Sequence, residues 1–174
     1  FTDFKRRLTM VNPEAFGKTS REQYRMTKAL LAHEAAHKRY TVPTVQPPLV
    51  HKVSNILEDE RIEQLLEGTY IGTRQLLKEL NAACLREFPE LLDTSDEPAD
   101  VLAFILQMRF SERCGDPIKG SLSPANQIKW VSCWPLVEEA WTATTSAVCD
   151  RNAAEIIRIL DLPEMPEWLS KLMA

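Results

Sequence analysis

The chain of 174 residues carries 25 acidic and 21 basic side chains, and this mixed balance, net −4, gives no polyanion-binding character, so nucleic acid is excluded as a default partner. Hydrophobic residues at 44% and charged residues at 26% are ordinary for a globular protein. No apolar run approaches the roughly eighteen residues that cross a bilayer, so a soluble, cytoplasmic protein without membrane contact is expected.

Four cysteines, Cys84, Cys114, Cys133 and Cys149, are far apart and form no C-x-x-C pair. That spacing predicts buried thiols in a reducing compartment and argues against a zinc ribbon, whose ligands arrive as close pairs. Five glycines form neither G-x-G-x-x-G nor a P-loop pattern. The basic clusters Lys5-Arg6-Arg7 and Lys38-Arg39 are too short for a phosphate track and are expected as solvated surface. A first residue of Phe1 rather than Met is expected of a domain excised from a longer protein.

Phe1, Phe4, Leu8 and Val11 are spaced as in a short amphipathic helix or arm, stopped by Asn12-Pro13. The next helix starts near Thr19 or Ser20, where Thr19 with Glu22, and Ser20 with Gln23, offer capping-box chemistry. It runs without Gly or Pro to about Tyr40 and contains His33-Glu34-Ala35-Ala36-His37. Pro43, Pro47 and Pro48 make residues 41–48 an extended loop, and Pro47 or Pro48 opens a second helix to about Glu67. The apolar set of that helix, Val50, Val53, Ile56, Leu57, Ile62, Leu65 and Leu66, covers most of its circumference, which predicts burial on several sides.

A third helix is expected over 73–87, ending before Pro89, and a fourth from an N-cap at Asp96 to about Arg113. Ser123-Pro124 starts a fifth, holding Ile128, Trp130 and Val131 as its apolar residues, which Pro135 kinks or ends. Trp130, Trp134 and Trp141 are expected in the core. A last helical pattern extends from Leu136 to Leu160 with an interruption near Cys149-Asp150, before a proline-rich tail. No period-two strand occurs. The expected fold is all-α with little or no β-sheet, divided into a helical domain over 1–115 and a C-terminal helical extension over 116–174 packing on it.

The H-E-x-x-H motif sits inside the most secure helix, where residues four apart share a face, so His33 and His37 can grip one metal ion. A catalytic zinc site takes three protein ligands and keeps one position open. Glu34, beside the first histidine and not a ligand, is placed to take a proton from water and pass it to a leaving amine. The third ligand is expected from the acidic run Glu58-Asp59-Glu60, because the loop from Tyr40 to Lys52 is long enough to fold the second helix back on the first. The only other histidine, His51, is a weaker candidate than these carboxylates. Glu58 and Asp59 differ by about 100° around the helix, so only one faces the histidines, and periodicity does not choose. Tyr40 is a packed or surface tyrosine before it is an oxyanion donor.

The stretches Leu30-Leu31-Ala32-His33-Glu34-Ala35-Ala36-His37, Arg39-Tyr40-Thr41 and Asn55-Ile56-Leu57-Glu58-Asp59-Glu60-Arg61-Ile62-Glu63 resemble bacterial and phage metallopeptidase domains that precede a von Willebrand factor A domain, related to cobalt-chelatase-like proteins. The likeness is specific over about residues 24–67 and is only helical texture from there to about 160. Related domains pair H-E-x-x-H with N-x-x-x-D, which falls on Asn55 and Asp59 and tilts the third ligand toward Asp59 over Glu58. The resemblance implies a zincin-like two-helix site, a von Willebrand factor A module as associate and often a MoxR-type ATPase nearby. A full zincin fold also packs a β-sheet on the motif helix, and the residues before Thr19 are too few to supply it. The expected function is zinc-dependent hydrolysis of peptide bonds in a protein or peptide substrate. The alternative, from another class, is a non-hydrolytic metal-binding or degenerate interaction module of the same von Willebrand factor A and ATPase system.

Overall fold

A computed structural model describes residues 2–3, 8–9 and 19–172, with side chains placed over 19–169. Helix α1 spans Ser20–Tyr40 and opens on the capping box: the Glu22 amide donates to Thr19 Oγ1 and the Thr19 amide donates to the Glu22 carboxylate at 2.9 Å. Helix α2 spans Pro48–Thr69, with Pro48 in the first turn, where an amide donor would have no partner anyway. A 3-10 turn over Ile71–Thr73 leads into α3, Arg74–Glu87. Helices α4, Ala99–Cys114, α5, Pro124–Trp141, α6, Ser146–Leu160, and α7, Glu167–Leu172, complete the chain.

The architecture is all-α and multi-helical. Among the described residues, strand pairing is confined to Thr2–Asp3 (β1) against Leu8–Thr9 (β2) and a single bridge between Leu91 and Gly120. The β1–β2 pair replaces part of the helix or arm expected over residues 1–11, and the β-branched Thr2 and Thr9 that face each other favour extended backbone. Phe1, Phe4 and Val11 of that expectation lie outside the described residues. At the Leu91–Gly120 bridge the two backbones approach so closely that a Cβ on Gly120 would sit 2.0 Å from the Leu91 carbonyl oxygen. Gly120 also has φ +80°, so no other residue fits without strain.

Three boundaries differ from expectation for local reasons. Helix α4 begins at Ala99 rather than Asp96, because residues ahead of Pro98 are biased to extended backbone; Asn126 Nδ2 holds the entry instead, donating to the Ser95 and Glu97 carbonyls at 3.2 and 2.9 Å. Helix α5 continues past Pro135 rather than ending there, since the carbonyl that loses its partner belongs to exposed Val131 and is free to meet water. The break in the C-terminal pattern falls between Trp141 and Ser146, in a threonine-rich stretch of low helix propensity, and Cys149-Asp150 lie inside α6. Ile128 and Val131 face outward, whereas Trp130 packs between Phe104 and Trp134 at centroid distances of 5.0 and 5.3 Å.

Helix α2 is the hub. It packs against α1, α4, α5 and α6, and its buried residues lie all around its axis, from Val53 and Leu57 to Ile62 and Leu66. One apolar core joins α2 residues to Leu102 and Ile105 of α4, Val137 of α5 and Ile156 of α6, and so crosses residue 115 without a seam. The four cysteines are free thiols, three of them buried. Burial pushes the Cys84 thiol up to about 12 and that of Cys133 up to about 11.

Candidate metal centre

Two consecutive turns of α1 present His33 and His37, whose rings meet edge to face at a centroid distance of 4.8 Å. Helix α2 brings Asp59 to the same point. Asp59 Oδ1 lies 3.1 Å from His37 Nε2 and 3.6 Å from His33 Nε2, and the three atoms fall within 4.8 Å of one another. Three ligands on a tetrahedral Zn2+ with bonds near 2.1 Å are separated by about 3.4 Å. The observed spacings fit that geometry.

The remaining ring nitrogens identify the tautomers. His33 Nδ1 is 2.8 Å from Glu63 Oε1, and Arg109 Nη2 and Asn81 Nδ2 also donate to Glu63, at 2.8 and 3.0 Å. Burial works against the charged carboxylate, but Arg109, His33 and Asn81 outweigh it and hold the Glu63 pKa down at about 2. An ionised Glu63 accepts only, so His33 Nδ1 carries a proton, and in the neutral ring this leaves Nε2 as the atom with a lone pair for an ion. His37 Nδ1 is 3.2 Å from Thr41 Oγ1, and Thr41 Oγ1 donates its single proton to Glu58 Oε1 at 2.7 Å. The Thr41 oxygen is therefore the acceptor toward His37 Nδ1, which leaves Nε2 as the ring atom directed at Asp59.

Two imidazole Nε2 atoms and one carboxylate oxygen thus converge. Asp59 Oδ1 is buried and has no hydrogen-bond partner in spite of the 3.1 Å approach. Such a cluster repels itself unless a cation or a proton sits at its centre. The electrostatics agree: burial opposes a charged His33, yet the Asp59 and Glu63 carboxylates overcome it and raise the pKa of the ring. Asp59 is desolvated, but His33, Arg109 and His37 hold its carboxyl well below the usual range. The donor set, two neutral imidazoles and a carboxylate, suits Zn2+ and other divalent ions of the same borderline character.

Glu58 is not brought to the histidines. Its carboxylate forms a buried ion pair with Arg61 and accepts from Thr41, so it touches the centre only through the hydroxyl that orients His37. Glu34 follows His33 on α1 and is buried. His51 is exposed on the first turn of α2 and stays outside the cluster. Tyr40 Oη is 3.1 Å from Thr69 Oγ1, at the far end of α2, which removes it from the centre.

Sequence reasoning assigned no role to Glu63, Arg109 or Asn81. Glu63 was within reach of it: four residues after Asp59 on a helix, it shares the face of a candidate ligand. Arg109 and Asn81 stand on α4 and α3, and nothing local marks them. A surface hollow of about 500 Å3 beside α1, lined by residues including Ala32, Ala35, Arg39 and Tyr70, brings together no carboxylate or imidazole. Among the described residues, no helix is long and apolar enough to cross a membrane. No protein-family model, curated protein or solved structure matches the chain.

Proposed function

We propose that this chain is a zinc-dependent metallopeptidase domain in which His33, His37 and Asp59 hold the ion. The observation that supports this reading is the meeting of His33 Nε2, His37 Nε2 and Asp59 Oδ1, an oxygen with no hydrogen bond, in one cluster whose two Nδ1 atoms face Thr41 and Glu63. When bound, Zn2+ lowers the pKa of a coordinated water and polarises a carbonyl. Glu34 serves as the base that takes a proton from the attacking water and hands it to the departing amine. Glu63 and Thr41 keep the two imidazoles in the tautomer that coordinates. The substrate class is a peptide or protein, and the resemblance adds a von Willebrand factor A module and a MoxR-type ATPase as partners.

Metal analysis of the purified chain tests the centre. About one zinc per chain, lost in both His33→Ala and Asp59→Ala, is the expected result, and a wild-type protein that takes up no divalent ion sinks the proposal. Hydrolysis is tested apart from binding: Glu34→Gln should keep the metal and lose about a hundredfold or more in peptide cleavage. Cleavage that survives Glu34→Gln would reject the mechanism while leaving the ion in place. A chain that holds zinc in all conditions and cuts no peptide would be the interaction module instead.

A further inference from the structure

Arg109 reaches the centre from α4 and is almost wholly buried at 4% exposure. Its guanidinium lies against three carboxylates of α2: Nη2 donates to Glu63 Oε1 at 2.8 Å, Nη1 lies 3.5 Å from Asp59 Oδ2, and Nε lies 3.8 Å from Glu60 Oε2. Glu63 Oε1 is the oxygen that also faces His33 Nδ1. One planar group therefore touches the outer oxygen of a ligand and the partner of another ligand at once. The inner oxygen, Asp59 Oδ1, is left for the ion.

We propose that Arg109 is the positioning residue of this centre: by engaging Asp59 Oδ2 it restricts Asp59 to one coordinating oxygen and so keeps a coordination position open. The inference rests on the metal-centre reading and extends it to a residue without a ligand atom. A carboxylate with both oxygens free tends to close on a cation as a bidentate ligand, which would fill the position that substrate or water needs. Arginine suits the task because its fork is rigid and spans two acceptors, whereas a lysine ammonium acts as a single point charge. Simple charge neutralisation does not require that fork, and this difference makes the role testable.

Cobalt(II) loading reports both affinity and coordination number, because the visible band is intense for four-coordinate ions and weak when the number rises. Arg109→Lys keeps the buried positive charge, and Arg109→Met removes it. Wild type is expected to show the intense band. Arg109→Lys is expected to bind Co2+ about tenfold or more weakly, with a weakened band as Asp59 becomes bidentate. If Arg109→Met fails to fold, Arg109→Lys carries the test alone. A Lys variant with wild-type spectrum and affinity, even if less stable to heat, overturns the positioning role and leaves the metal centre standing. A wild type that binds no Co2+ and no Zn2+ overturns the centre, and with it this inference.

Discussion

At the scale of single residues, the centre is organised by who donates to whom. Glu63 binds no ion, yet it accepts from His33, Arg109 and Asn81, and its carboxyl pKa falls from an ordinary 4.5 to about 2. A depressed carboxylate adds stability that is complete above its unfolded value and disappears as pH falls through the folded one. The stability carried by Glu63, about 3 kcal/mol from that shift, is therefore present above pH 4.5 and lost toward pH 2. His33 has the opposite sign: its raised value stabilises the metal-free fold at low pH, and that contribution goes as pH rises through the folded value. Denaturant unfolding at several pH values should show Glu63→Gln flattening the acid limb between 4.5 and 2. The same variant should bind zinc ten- to a hundredfold more weakly at neutral pH, as loss of an orienting partner does elsewhere. An unchanged acid limb would mean that Glu63 is not ionised in the fold.

At the scale of elements, the loop between α1 and α2 matters as much as either helix. Asp150, on α6, accepts from Thr44 at 2.7 Å, Gln46 at 3.3 Å and Ser54 at 2.6 Å, while the Val42 amide donates to Ser146 at 3.1 Å. These bonds tie down the segment that begins with Thr41, the residue orienting His37. Asp150→Ala should lower stability by about 2–4 kcal/mol and speed amide exchange over residues 41–47. Zinc affinity should fall by less than in Asp59→Ala, and exchange confined to other regions would refute the coupling. Much of this was open to sequence reading. Helix α1 announced itself through Thr19, Glu22 and an unbroken run of helix formers, and the H-E-x-x-H motif placed His33 and His37 on one face of it. The choice between Asp59 and Glu58 was not settled by periodicity, because α2 is buried all round and carries charges on its inner surfaces. Glu58 turns toward Arg61, three residues on along the same helix, and Glu60 toward Arg113 of α4, a tertiary pairing. Of the two outcomes expected at Pro135, a kink or an end, the helix does not end there, because the carbonyl left without a donor belongs to exposed Val131.

At the scale of the whole molecule, the centre lies between α1 and α2 but is braced by α3, α4 and, through the loop, α6. An ion that bridges α1 and α2 binds the folded state alone and should stabilise the entire cooperative unit. At a hundredfold excess of zinc over its Kd the gain is about 2.7 kcal/mol, which for a chain of this size raises Tm by about 5–10 °C. Thermal melts with zinc and then with a chelator check this, and a Tm indifferent to both would show that no folded-state site exists.

The long reach of those braces also sets an order in time. A chain made from its N-terminus presents His33, His37 and Asp59 to the cell before Arg109 exists, and Asp150 follows later still. The ligands are thus synthesised well ahead of the groups that aim them, so a nascent chain has the donor atoms without the geometry. On the proposed reading, metal selection would wait until the C-terminal helices have docked, and the finished fold, rather than whichever ion is met first, would decide what the centre keeps.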